Sequence, residues 1–224
     1  MPAEAVPTST VAVVVDPLGT LLPSRPPPAH ARESASSCLL DPEPRRACRA
    51  PVPGRLVLVP GRSRRSGPGG ALRYQVQVET GLGLDSRAVA AEIDRILADP
   101  RGWSGGGIAF RRVTRAPVDF QVALAAPATV DRLCSPLRTY GALSCATDTR
   151  AVLNVVRWRR GAPAFHRDVA LYRRYLVNHE VGHLLGHGHS SCQAAGARAP
   201  VMMQQTMGVG TCRANGRPLP WERG

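Results

Sequence analysis

Asn178–His189 reads NHEVGHLLGHGH and holds four of the chain's six histidines. The other two, His30 and His166, are scattered, so the clustering is local and not part of a compositional tract. On a helix, residues four apart project from one face, about 6 Å apart along the axis. The nitrogens of His179 and His183 can therefore converge on one divalent ion, and Glu180 can lean over the same point. Gly186 follows three residues after His183, where a glycine lets the chain leave the helix through a left-handed turn. Past that turn the chain can swing back, and His189 can add a third nitrogen. His187 competes for that place, because a helix running straight on would align it with His179 and His183. Gly186 and Gly188, one on each side of it, count against such a helix.

The complete pattern, HExxHxxGxxH with Glu180 and Gly186 in place, resembles the zinc signature of the metzincin metallopeptidases. That resemblance implies one catalytic Zn2+ held by His179, His183 and His189. Glu180 would be the base that activates a zinc-bound water for attack on a peptide bond. It also implies a methionine in a tight turn beneath the metal. Pro200–Gln205 reads PVMMQQ, in which Met202 resembles the Met-turn residue and Met203 is the alternative. Three of the four methionines fall between 202 and 207, which weakens a reading of them as ordinary core fillers. Gln204 stands where many metzincins carry a tyrosine, so the resemblance supplies no side chain for an oxyanion.

Outward from this stretch, Asp168 is a natural N-cap for a long helix through Leu185, apolar on most sides and so expected to be buried. Upstream, Arg55–Pro60 reads as a short strand, and Tyr74, Val76 and Val78 alternate with polar residues as a half-buried strand does. Asp85 can cap a helix whose Val89, Ile93, Ile96 and Leu97 share one face and which stops at Asp99-Pro100. Further strands are predicted over Ile108–Val113, Val118–Leu124 and the apolar run Ala151–Trp158. The expectation is an α+β domain over residues 54–224, preceded by a Pro-rich, disordered segment over residues 1–53. The metzincin resemblance refines this to a mixed twisted sheet with two long helices in an upper subdomain. A small irregular lower subdomain would bear the Met-turn, with a cleft between them. Substrate would lie extended beside an exposed strand edge. The phrases RYQVQVETGLGLD, ATVDRLCSPL, VLNVVRW and PVMMQQT also resemble an extracytoplasmic, metzincin-like family of high-GC Gram-positive bacteria that has no settled function. This second resemblance implies a secreted or envelope-associated protein.

The formal charge of +13 suggests anionic partners, yet all 29 basic residues are arginine, a bias that looks like codon composition in a GC-rich genome. No helix-turn-helix, zinc-knuckle or aromatic-interleaved motif stands out, so no specific nucleic-acid partner is expected. Electrostatic association with an anionic cell envelope fits the charge. The expected partner is a peptide or protein substrate, and the chain is read as a monomer. The six cysteines fall into local pairs, Cys38 with Cys48, Cys134 with Cys145 and Cys192 with Cys212, one of fifteen possible connectivities. No CxxC spacing occurs, so disulfides in an oxidising compartment are favoured over a thiolate zinc site. Val11–Leu22 is broken by Asp16-Pro17 and reads as neither a signal peptide nor a membrane span. Two other functions compete: a non-catalytic, zinc-stabilised module that binds anionic envelope polymers, and a zinc hydrolase of cell-wall crosslinks. Glu180 counts against the first, because a purely structural zinc needs no base.

Overall fold

The computed structural model describes residues 54–224; the expected disordered segment and the Cys38–Cys48 pair lie outside them. A mixed sheet is built from β1 (Leu56–Leu58), β2 (Ala71–Glu79), β3 (Ala109–Arg112), β4 (Phe120–Ala125), β5 (Cys145–Thr147) and β6 (Arg150–Asn154). Its path is β1-β2-β4-β6-β5, with β3 also paired to β2. The central pairings β2–β4 and β4–β6 are parallel, whereas β1 and β5 run antiparallel to their neighbours. The protein is therefore α+β with a mixed sheet, as the order of periodic segments predicts.

Among the described residues four α-helices accompany the sheet: α1 (Ser86–Leu97), α2 (Pro127–Cys134), α3 (Val155–Arg160) and α4 (Val169–Leu184). The Asp85 carboxylate accepts from Arg87 N–H at the start of α1, and Asp168 accepts from Leu171 N–H at the start of α4. Both caps satisfy amides that no helical carbonyl can reach. The expected face of α1 is buried against Tyr74, Val76 and Val78 of β2, in one core that also takes in Tyr172, Tyr175, Leu176 and Val181 of α4. A smaller cluster of Ala125, Val130, Cys134, Cys145 and Val152 packs α2 on the other face of the sheet.

Two local readings change. The apolar run expected as a strand over Ala151–Trp158 leaves the sheet at Asn154, whose side chain accepts from Val156 N–H and starts α3. Burial of Val155 and Trp158 keeps the run apolar through both elements, so hydrophobicity alone cannot place the boundary. Neither α2 nor β5 was foreseen: α2 is short with proline at its first position, and β5 has three residues. Among the described residues no helix is long and apolar enough to cross a membrane.

Arg112 of β3 is buried, and its Nε donates to both oxygens of Asp94 on α1 at 2.9 and 3.0 Å. Tyr74 Oη donates to Asp94 Oδ1 at 2.6 Å, so one carboxylate joins α1 to two strands. Removing it strands a buried guanidinium. We expect Asp94→Leu to cost about 3–5 kcal/mol and to lower the thermal midpoint by about 10 °C. The double variant Asp94→Leu/Arg112→Met should recover more than half of that loss in calorimetry. A double variant no more stable than Asp94→Leu would show that the pair is not what holds α1 to the sheet.

Candidate metal centre

Helix α4 runs nearly surrounded by the core, and Asn178, His179 and Glu180 are all buried in its last two turns. It stops where glycine was expected to stop it. Gly186 has φ +91°, Gly186 N–H donates to His183 O, and His187 N–H reaches back to Gly182 O at 3.0 Å. These are the paired bonds of a helix ending on a left-handed residue, and they satisfy carbonyls that would otherwise be orphaned. The chain then reverses, and Ser190 N–H donates to Met202 O at 3.1 Å.

The reversal brings His189 to the two helical histidines. The ligand nitrogens of His179, His183 and His189 lie within 4.8 Å of one another. Their ring centroids are separated by 4.8, 5.4 and 4.7 Å. His187 is not among them: its ring stacks on Trp103 at 4.6 Å. Its backbone is used instead, since His183 Nδ1 donates to His187 O at 2.9 Å. His179 Nδ1 likewise donates to Val201 O at 2.8 Å. A carbonyl can only accept, so each of these bonds fixes the tautomer that leaves the other ring nitrogen with a free lone pair.

Electrostatics agree with that assignment. Burial holds His179 down to about 3, and it also lowers His183 and His189, each further depressed by a neighbouring imidazole. Neutral imidazoles are the form that binds a cation. Burial alone pushes the Glu180 carboxyl up to about 8, and no group among the described residues donates to it. A cation beside it would favour its ionised form. The chemistry of the donor set thus fits one borderline divalent metal, with three nitrogens and a nearby carboxyl that is not one of the three.

Met202 is buried beneath the site, and the space it occupies exists because residue 182 is glycine. A Cβ there would stand 2.8 Å from Trp103 Cζ2 and would collide with Met202 Sδ. Met203, the alternative, is only partly buried, and its carbonyl accepts from Tyr175 Oη at 3.2 Å. Gln204 is exposed and lines the cleft beside His189.

Glu222 was not singled out by the sequence, yet it holds the Met202 turn. Its buried carboxylate accepts from Val201 N–H at 3.0 Å, Met202 N–H at 2.9 Å and Leu219 N–H at 2.7 Å. The Val201–Met202 peptide therefore donates to Glu222 at its nitrogen and accepts from His179 at its oxygen. No local pattern could have revealed a contact across twenty residues of irregular chain. Gly182 did carry a weak signal, since a glycine inside a helix costs stability that close packing can offset.

The cleft around the histidines has a volume of about 350 Å3, and its far wall includes Leu137, Thr139, Ala146 and Met207. Ala146 belongs to β5, an edge strand whose outer side is unpaired among the described residues. The loop before β5 is fixed by the Cys134–Cys145 disulfide, by Gly141 N–H to Asp131 at 2.8 Å and by Asn154 Nδ2 to Gly141 O at 2.9 Å. The Thr139 hydroxyl, ahead of Gly141, holds Asp131 below the usual carboxylate range. Cys192–Cys212 is also formed and ties the segment after His189 to the chain beyond the Met202 turn. In the chain-entropy view a bridge closing a loop of that size is worth about 3 kcal/mol.

A family model matches residues 50–215. The chain belongs to the family described as proteins of unknown function, DUF3152. The DUF3152 match takes in every histidine of the site and both disulfides, and Glu222 lies beyond it. No curated protein matches the chain.

Glu222→Gln replaces one acceptor oxygen with a donor facing backbone N–H groups. We expect a loss of about 2–4 kcal/mol, and a fall in the thermal midpoint of about 5–15 °C. Hydrogen exchange at Val201 and Met202 should accelerate more than exchange in β4. Equal acceleration in both places would mean that Glu222 stabilises the fold at large and not this turn.

Proposed function

We propose that this protein is a zinc-dependent endopeptidase with a metzincin-like fold. The observation that carries the reading is the meeting of three neutral imidazoles with Glu180 in one cleft bounded by an unpaired strand edge. His179, His183 and His189 would hold the ion. When bound, it supplies Lewis acidity, acidifying water and polarising a carbonyl. Glu180 would take a proton at its carboxylate from the attacking water and return it to the leaving nitrogen. Its burial among Tyr175, His179 and the cleft wall keeps bulk water from competing for that proton.

The rest of the molecule supports this reading. Edge strand β5 offers backbone groups to an extended chain, which favours a peptide or protein substrate over a compact ligand. Leu137 and Met207 stand exposed at the cleft, 58% and 70% accessible, as apolar contacts for substrate side chains. The sheet, the buried helix ending at Gly186 and the irregular chain with Met202 beneath the histidines resemble the two subdomains of a metzincin. Two disulfides suit a secreted or envelope-associated protein. A zinc-stabilised binding module is disfavoured by Glu180, a buried carboxyl that no structural zinc needs. A hydrolase of cell-wall crosslinks would use the same residues and differs only in what enters the cleft.

The test uses the full chain. We expect one zinc per molecule in the wild type, in Glu180→Gln and in His187→Phe, and strongly weakened zinc binding in His189→Ala. Cleavage of a peptide library should fall by about 10²–10⁴-fold in Glu180→Gln. Casein and purified peptidoglycan, digested side by side, separate a protease from a cell-wall hydrolase. Zinc in every variant with no hydrolysis of either polymer would sink the catalytic reading, and no zinc in any would sink all three.

A further inference from the structure

A second and larger cavity, about 670 Å3, lies among Leu171 of α4 and the chain around residues 213–223, and none of its lining residues belongs to the histidine cleft. Five of its eleven lining residues are arginines: Arg101, Arg198, Arg213, Arg217 and Arg223. Arginine makes up 29 of 224 residues overall, so the cavity concentrates guanidinium groups well beyond the chain's average.

Their charges are poorly compensated. Asp99 takes Arg101 Nε at 2.9 Å and Arg217 Nε at 3.0 Å, and it is the only acid paired with any of the five among the described residues. Arg213 gives its Nε to Gly196 O, and Arg223 Nη1 reaches Pro100 O at a long 3.4 Å. Arg223 Nε is buried with no hydrogen-bond partner at all. Arg198 and Arg213 face each other across a parallel bridge, so two like charges leave neighbouring strands of chain on the same side. Behind them the side chain of Arg174 packs against Gly216, and its pKa is lowered by burial and then by the charges of Arg217, Arg95 and Arg101.

Juxtaposed guanidinium groups with unfilled donors cost free energy in an empty pocket, and an anion with several acceptor oxygens recovers it. Their planar forks match phosphate oxygens in pairs. We propose that this cavity is a binding site for a ligand carrying two or more closely spaced phosphates, separate from the histidine cleft. The floor is preformed: Asn215 Nδ2 donates to Ala199 O at 2.9 Å, which fixes the chain segments that carry Arg198 and Arg213.

The experiment titrates the full chain with inorganic tripolyphosphate by calorimetry at physiological salt, with citrate as a charge-bearing control. Co-sedimentation with phosphatidylglycerol vesicles distinguishes a lipid phosphate from a free one. Arg198→Gln/Arg213→Gln removes two exposed charges without touching the core, and Arg62→Gln/Arg64→Gln removes two exposed charges elsewhere. We expect tripolyphosphate to bind at one per chain and more tightly than citrate. Its Kd should rise at least ten-fold in the first variant and stay unchanged in the second, with the thermal midpoint equal in both. Loss of vesicle binding in the first variant alone would extend the site to lipid phosphates. Absence of binding to either probe, equal weakening in the two variants, or citrate binding as tightly as tripolyphosphate would overturn the proposal.

Discussion

The peptide between Val201 and Met202 joins the two parts of the cleft. Its oxygen accepts from His179 Nδ1 and its nitrogen donates to the buried carboxylate of Glu222. A negative charge at the N–H end polarises the peptide, so its carbonyl becomes a stronger acceptor and the imidazole a better donor of its remaining lone pair. Geometry is fixed by the same contacts. Met202 can lie against α4 because Gly182 presents only hydrogen, and Trp103 closes the space while donating to Asn178 O at 2.8 Å. Helix and turn are thereby locked at the distance that His189 must span.

That lock explains why the molecule tolerates so much buried polarity in one helix. Asn178, His179 and Glu180 are consecutive and all are less than 10% accessible. Asn178 Nδ2 reaches Gly216 O and His179 reaches Val201 O, both on irregular chain after the helix. Two acceptors of this trio go without a donor among the described residues: Asn178 Oδ1, which is buried, and the Glu180 carboxyl, which lines the cleft. Proteins satisfy buried polar groups unless a function needs them free. Of the two, Glu180 lines the cleft with the histidines and Asn178 does not, so only the Glu180 carboxyl stands where a free acceptor is chemically useful.

What the sequence made legible follows from the range of each interaction. Caps at Asp85 and Asp168, the apolar face of α1 and the exit at Gly186 depend on contacts within one or two turns, and each stands where local spacing put it. The convergence of His189 followed from the same turn chemistry, as did the exclusion of His187. Asn154 shows where local reading fails: the residues on both sides of it are buried, and only a side-chain bond to Val156 marks the change from β6 to α3. Glu222, Trp103 and the arginine cavity are made by segments distant in the chain. Arg101 and Arg217 meet through Asp99 across more than a hundred residues, which no periodicity encodes.

Charge placement follows from a related constraint. Two unit charges several ångströms apart repel by a few kcal/mol at the effective dielectric of a protein surface. Guanidinium groups gathered around neutral imidazoles would oppose any cation there. The chain has 29 arginines and no lysine; among the described residues Arg138 is the only arginine lining the histidine cleft, whereas five line the cavity that includes Leu171, earlier on α4. The helix contributes to both at different heights: Tyr175, His179, Glu180 and His183 line the histidine cleft, and Leu171, earlier on the helix, lines the basic cavity. Segregation of this kind keeps most of the guanidinium charge at the basic cavity away from the neutral imidazoles.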